Sequence, residues 1–186
     1  MQSFGQFHPL IVHTPVALLI FSAFFAIVGR LFDRDWVRKA SVLLLVFGFL
    51  GAFAAVRTGL IAHRVPEHQQ GVPEHDIDEH GEMGQYALWA SGLAVLAVFM
   101  AARASGSAAQ ALGGLALVLQ VAAAVCVGVA GFRGGALVYE HGANVRIGGA
   151  LVHDTGVGAA REGDAVRAPD HAAPRDSAAV DRDDDR

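Results

Sequence analysis

The chain has 186 residues and a net charge of -4, with 53% hydrophobic and 17% charged residues and a mean hydropathy of +0.40. It is more apolar than an ordinary soluble domain, and without a basic stripe it offers no surface for nucleic acid. Its single cysteine, Cys126, excludes an intramolecular disulfide and any zinc or iron–sulfur site built on cysteines.

The apolar residues gather into four blocks of about 18 to 25 residues, the length that crosses ~30 Å of hydrocarbon at 1.5 Å per residue. The expected fold is therefore all-α: a polytopic membrane four-helix bundle over residues 1–153 with a polar tail over 154–186. The tail is Ala, Asp, Arg and Pro with almost no large apolar residue, so it cannot bury a core and is expected to be disordered. The first block reads as a retained anchor, because no Lys or Arg precedes Arg30 to form the basic start of a cleavable signal.

In chain order, the first helix is expected over 8–32, with Pro9 in its first turn and Pro15 inside it as a kink or a device that aims His13. The second is expected over 40–62, where Gly48, Gly51 and Ala55 give the small-residue spacing of close helix approach. Arg57 lies near its end, either snorkelling to the interface or partnering an anionic group. A long polar connection follows, with the repeat Val65-Pro66-Glu67-His68 and Val72-Pro73-Glu74-His75. The third helix is expected over 83–103, with Tyr86 and Trp89 as belt residues at its entry. The fourth, rich in Gly and Ala, is expected over 109–131, and the Gly-punctuated stretch after Gly131 reads as a short interfacial re-entry.

Four crossings put both termini on one side, and all nine histidines with them. Arg30, Arg34, Arg38, Lys39 and Arg103 crowd the two short connections on the other side, which predicts outward N- and C-termini by the positive-inside rule. Imidazole ligates haem iron, zinc and copper. A b-type haem needs two axial imidazoles from different helices, and His8, His13, His80 and His141 are the candidates, with Arg57 for the propionates. His8 and His13 are ~140° apart round a helix, so they serve different partners. A second reading is a divalent metal, zinc or copper, held by His63, His68 and His75 in the connecting loop; a third is a structural or assembly subunit. No nucleophile elbow or phosphate-cradling loop is present, so an enzyme is the less favoured class.

His8-Pro9-Leu10-Ile11-Val12-His13-Thr14-Pro15 near the start and Leu137-Val138-Tyr139-Glu140-His141-Gly142 near the end resemble the paired motifs of a bacterial family, domain of unknown function 2231. Thr58-Gly59 and His80 also resemble its pattern, whereas Thr14 and Ala143-Asn144 depart from it. The resemblance covers about Phe7 to Val145 and implies a four-helix protein of the bacterial inner (cytoplasmic) membrane. Some relatives are joined to cytochrome c-like or Rieske-type domains, which implies an electron-transfer setting; this chain has no C-x-x-C-H of its own, so such a domain would be a separate partner. The reading that results is a membrane protein binding b-type haem through histidines at one face and serving electron transfer.

Overall fold

A computed structural model describes residues 7–62, 72–143, 145–147 and 150–151. Four long helices dominate it: α1 (His8–Leu31), α2 (Asp35–Ala62), α3 (Glu74–Ala101) and α4 (Gly106–Tyr139). All four are long and apolar enough to cross a membrane. A two-residue antiparallel ribbon follows, β1 (Arg146–Ile147) on β2 (Ala150–Leu151). The expected tail, with His171, lies outside the described residues, as do His63, His68 and His153.

Three helix boundaries differ from the sequence reading, each for a local reason. Helix α2 begins at Asp35, so Trp36, Arg38 and Lys39 are helical and the α1–α2 connection shrinks to a tight turn. There Asp33 takes a left-handed conformation (φ 49) and the Arg34 N–H reaches back to the Gly29 carbonyl at 3.0 Å, the wrap that usually ends on glycine. Arg38 donates to Asp33 at 2.8 Å and also to Asp35, and this pairing holds the Asp33 carboxyl below its ordinary range. Helix α3 begins at Glu74, nine residues before Met83, because extended Pro73 starts it and Glu74 and Asp76 suit the positive end of its dipole. His75 and His80 are therefore helical residues. Helix α4 runs unbroken through Gly131 to Tyr139, so the expected re-entry is helix; it stops where Gly142 (φ 60) lets the Ala143 N–H reach the Leu137 carbonyl at 2.9 Å.

The helices run up-down-up-down, α1 packing on α2 and α4, and α3 on α4 and α2. Small residues set the close approach. An added Cβ at Gly48 would lie 2.7 Å from Leu19 Cδ2, and one at Gly51 would lie 3.2 Å from the Pro15 ring, which is how α1 keeps a proline inside its span. Leu19 and Leu45 are buried among Ala52, Ala87, Ala94, Ala123 and Val127. Large side chains instead face outward, Phe21, Phe24, Phe47, Phe53, Leu96 and Phe99 among them. In water such a surface would be an aggregation hazard; in hydrocarbon it is the solvent-facing side.

Nearer the α1–α2 turn than the histidine end, a polar layer ties three helices. Ser22 and Ser41 both donate to Gln120 Oε1, at 2.8 and 2.9 Å, and each also lies within reach of the other's carbonyl. Gln120 returns its amide to Ala116 O. No buried side-chain nitrogen or oxygen among the described residues lacks a partner.

Candidate functional site

At the N-terminal end of the bundle, two of the four histidines expected to gather there do meet. His8, the first residue of α1, and His80, two turns into α3, face each other across the bundle diagonal with ring centres 6.2 Å apart and planes at 84°. Both are half-buried. Glycines make room for the rings: a Cβ at Gly59 on α2 would lie 3.1 Å from His8 Cε1, and one at Gly134 on α4 would lie 2.8 Å from His80 Cε1. All four helices thus contribute to one layer.

Hydrogen bonds fix which nitrogen of each ring carries the proton. His8 Nδ1 lies 3.1 Å from Thr58 Oγ1. The Thr58 hydroxyl has one hydrogen, and it is directed at the carbonyls of Ala54 and Ala55, at 2.9 and 3.0 Å. With that hydrogen on a carbonyl, the oxygen accepts from the ring and His8 Nδ1 donates. His80 Nδ1 lies 2.8 Å from the Ala130 carbonyl, which can do nothing but accept. The two anchors suit the same tautomer in both imidazoles, Nδ1–H with the lone pair on Nε2, and the backbone of Ala55 also hydrogen-bonds the His8 ring.

The other candidates take different places. His13 is exposed on the outer side of α1 and donates from Nδ1 to its own helix, at Pro9 O, 2.6 Å. His141, just beyond α4, pairs through Nε2 with Asp76 Oδ2 at 3.1 Å. His75 pairs with Glu79 at 3.1 Å, one turn along α3. Arg57 is exposed; one residue from Thr58 it is turned ~100° away from the histidine layer. Arg133, next to Gly134, is ion-paired with Glu79, the neighbour of His80. Among the described residues no group of three or more His, Cys, Asp or Glu is placed to hold a metal ion.

Thr58, Ala130, Gly59, Gly134 and Arg133 are the parts that reading the chain for ligands missed. Thr58-Gly59 was visible only through the family pattern, because an anchor residue carries no spacing signal. A carbonyl such as that of Ala130 carries none at all.

Along α2, Trp36 and Thr58 are 22 positions apart, or about 33 Å of helix, close to one hydrocarbon thickness. Trp36 is exposed at one end, so the histidine layer sits at the other boundary of the apolar span. The first turn of α3 and the last turns of α4 project past it, carrying Asp76, Glu79, Arg133 and Glu140. Tyr86 and Trp89, expected at the helix entry, lie about 9 and 14 Å below His80 along α3, exposed on its outer side. Two cavities open at this end. One of about 120 Å³ is lined by Asp76, Arg133, Ala136, Leu137, Glu140 and His141; the other, of about 310 Å³, lies along α4 from Gly131 to Glu140. Neither is lined by His8 or His80.

No curated protein and no solved structure matches the chain. A family pattern described as a predicted membrane protein, DUF2231, matches residues 6–159, a span that holds the four apolar helices and both imidazoles of the layer. The chain belongs to the DUF2231 family of predicted membrane proteins.

Proposed function

We propose that this membrane protein holds one redox metal between His8 and His80 and passes electrons at that face of the membrane, the outward one by the distribution of Arg and Lys. The observation that carries the reading is the shared tautomer: two imidazoles from separate helices, each anchored through Nδ1 and each keeping its Nε2 lone pair. The 6.2 Å separation supports it. With a ring nitrogen about 1.1 Å from the ring centre, two metal–nitrogen bonds of about 2.0 Å in line place the centres about 6.2 Å apart. A direct N–H···N bond of about 2.9 Å would bring them to about 5.1 Å.

The sequence reading assigned the metal to b-type haem, whose iron takes two imidazoles on opposite sides. The donor set fits that iron. A porphyrin also needs a slot, and ligand pockets run to roughly 300–1,000 Å³, whereas the two cavities described above are lined by residues other than these rings. In this proposal the residues divide as follows: His8 and His80 ligate, Thr58 and the Ala130 carbonyl orient them, and the projecting charged turns of α3 and α4 meet an electron-transfer partner of the cytochrome c-like or Rieske type. The loop-metal alternative needs His63 and His68, and of its three histidines the described one, His75, is paired with Glu79.

The test is an absorption spectrum of the protein purified from membranes in mild detergent, oxidised and then reduced, with metal analysis on the same sample. A stoichiometric redox metal lost in His8→Gln and His80→Gln is the expected result. A metal-free, colourless protein from metal- and haem-sufficient cells overturns the proposal.

A further inference from the structure

We infer that the His8–His80 pair is a binding site for a bare monovalent copper ion. The inference rests on the reading of these two residues as ligands of one redox metal, and it names the metal.

Donor number narrows the choice first. Two imidazoles stand with ring centres 6.2 Å apart, edge to edge or edge to face, and no third His, Cys, Asp or Glu joins them among the described residues. Zinc takes four ligands in structural sites and three plus water in catalytic ones, and calcium and magnesium take oxygens. Copper(I), a d10 ion, is stable with two nitrogen ligands in line, and imidazole suits copper.

Charge narrows it further. The cost of desolvating an ion rises with the square of its charge, so a divalent ion in this half-buried layer needs carboxylates to offset it. The nearest ones are already engaged: Glu79 by Arg133 and His75, and Asp76 by His141. A single positive charge between two neutral rings needs no such partner.

Space decides between a bare ion and a macrocycle. Gly59 and Gly134 close on the Cε1 edges of the two rings, and the cavities at this end are lined by other residues. An ion needs only the gap between rings whose centres are 6.2 Å apart, whereas a porphyrin needs a slot as wide as the macrocycle between α1 and α3. The two-ligand site favours copper(I) over copper(II), which seeks four tetragonal donors, so copper held here keeps its redox couple at a raised reduction potential.

The experiment is an anaerobic titration of the full-length protein in detergent with copper(I) against a chromophoric copper(I) chelator, with X-ray absorption recorded on the loaded sample. One copper per chain with a two-nitrogen shell is expected. His8→Gln and His80→Gln should each weaken binding by more than the roughly 10–100-fold that loss of a ligand's hydrogen-bonded partner costs. His13→Ala and His75→Ala should leave it unchanged, and zinc(II) should not compete. Far-UV circular dichroism checks that the variants remain helical; the absorption shell of the unmodified protein decides the matter if they do not. A sulfur ligand, or copper binding indifferent to both Gln variants, overturns the inference. Stoichiometric haem ligated by the same two histidines overturns the copper assignment and upholds the redox-metal reading; neither metal bound overturns both.

Discussion

Two polar layers interrupt the apolar bundle, and they use their hydrogen bonds in opposite ways. In the Ser22–Ser41–Gln120 layer every donor is directed at a partner inside the layer or at a backbone carbonyl beside it. In the His8–His80 layer each ring uses one nitrogen on an anchor and keeps the other. Both layers satisfy the demand that buried polar groups be bonded. Only the second retains acceptors that a Lewis acid can use. The difference separates a knot that orients helices from a site that receives a ligand, although on the chain both are just polar residues in apolar runs.

The sharpest way to break that comparison is to remove an imidazole. His8→Gln or His80→Gln should abolish metal binding by the detergent-purified protein while far-UV circular dichroism stays helical. Next in size is the contrast between two glycines of α4. Gly134→Ala puts a Cβ 2.8 Å from His80 Cε1 and should displace the ring from the Ala130 carbonyl, with an overpacking cost of about 1–3 kcal/mol. Gly128→Ala meets nothing within 4 Å and should stay within about 0.5 kcal/mol. Thermal unfolding in detergent, with metal content on the same samples, reads both.

A smaller effect is expected from Gln120→Leu. It removes the acceptor shared by Ser22 and Ser41, but each hydroxyl still has the other serine's carbonyl, so the loss should be about 1 kcal/mol. Metal content should not change, and a metal-depleted Gln120→Leu protein would show the two layers to be coupled. The smallest effect lies at the opposite end of the molecule. Arg38 lowers the carboxyl pKa of Asp33, so that pairing contributes stability above the ordinary carboxylate pKa and loses it as pH falls through the lowered value. Asp33 is fully exposed, so the effect is screened. A slight acid-side fall in thermal stability should disappear in Asp33→Asn, with metal binding untouched.

How much of this was legible in the chain varies by element. The four spans were, because hydrocarbon thickness sets a length that composition alone reveals. The starts of α2 and α3 were not: polar and charged residues such as Asp35 and Glu74 look like connection, yet they are good first-turn residues for a helix that projects past the apolar layer. The same holds for α4 beyond Gly131, where glycines that read as a break pack against imidazole and neighbouring helix in an unbroken turn. Of the four histidines the chain named for one face, two meet, His8 and His80. His13 and His141 share the end of the bundle with His8 and His80, but a position one turn away on a helix, or beyond its end, points a side chain elsewhere.

What the sequence by itself determined is a membrane bundle of four helices, with its described histidines toward one end, because length, apolar content and the sidedness of crossings depend on local composition. Only the tertiary structure decided that His8 and His80 meet, that Thr58 and the Ala130 carbonyl each bond one of the rings, and that Arg133 pairs with Glu79 next to His80. Those facts depend on helix rotation and register between segments 50 or more residues apart, which close packing at Gly48, Gly51, Gly59 and Gly134 sets and no local pattern encodes.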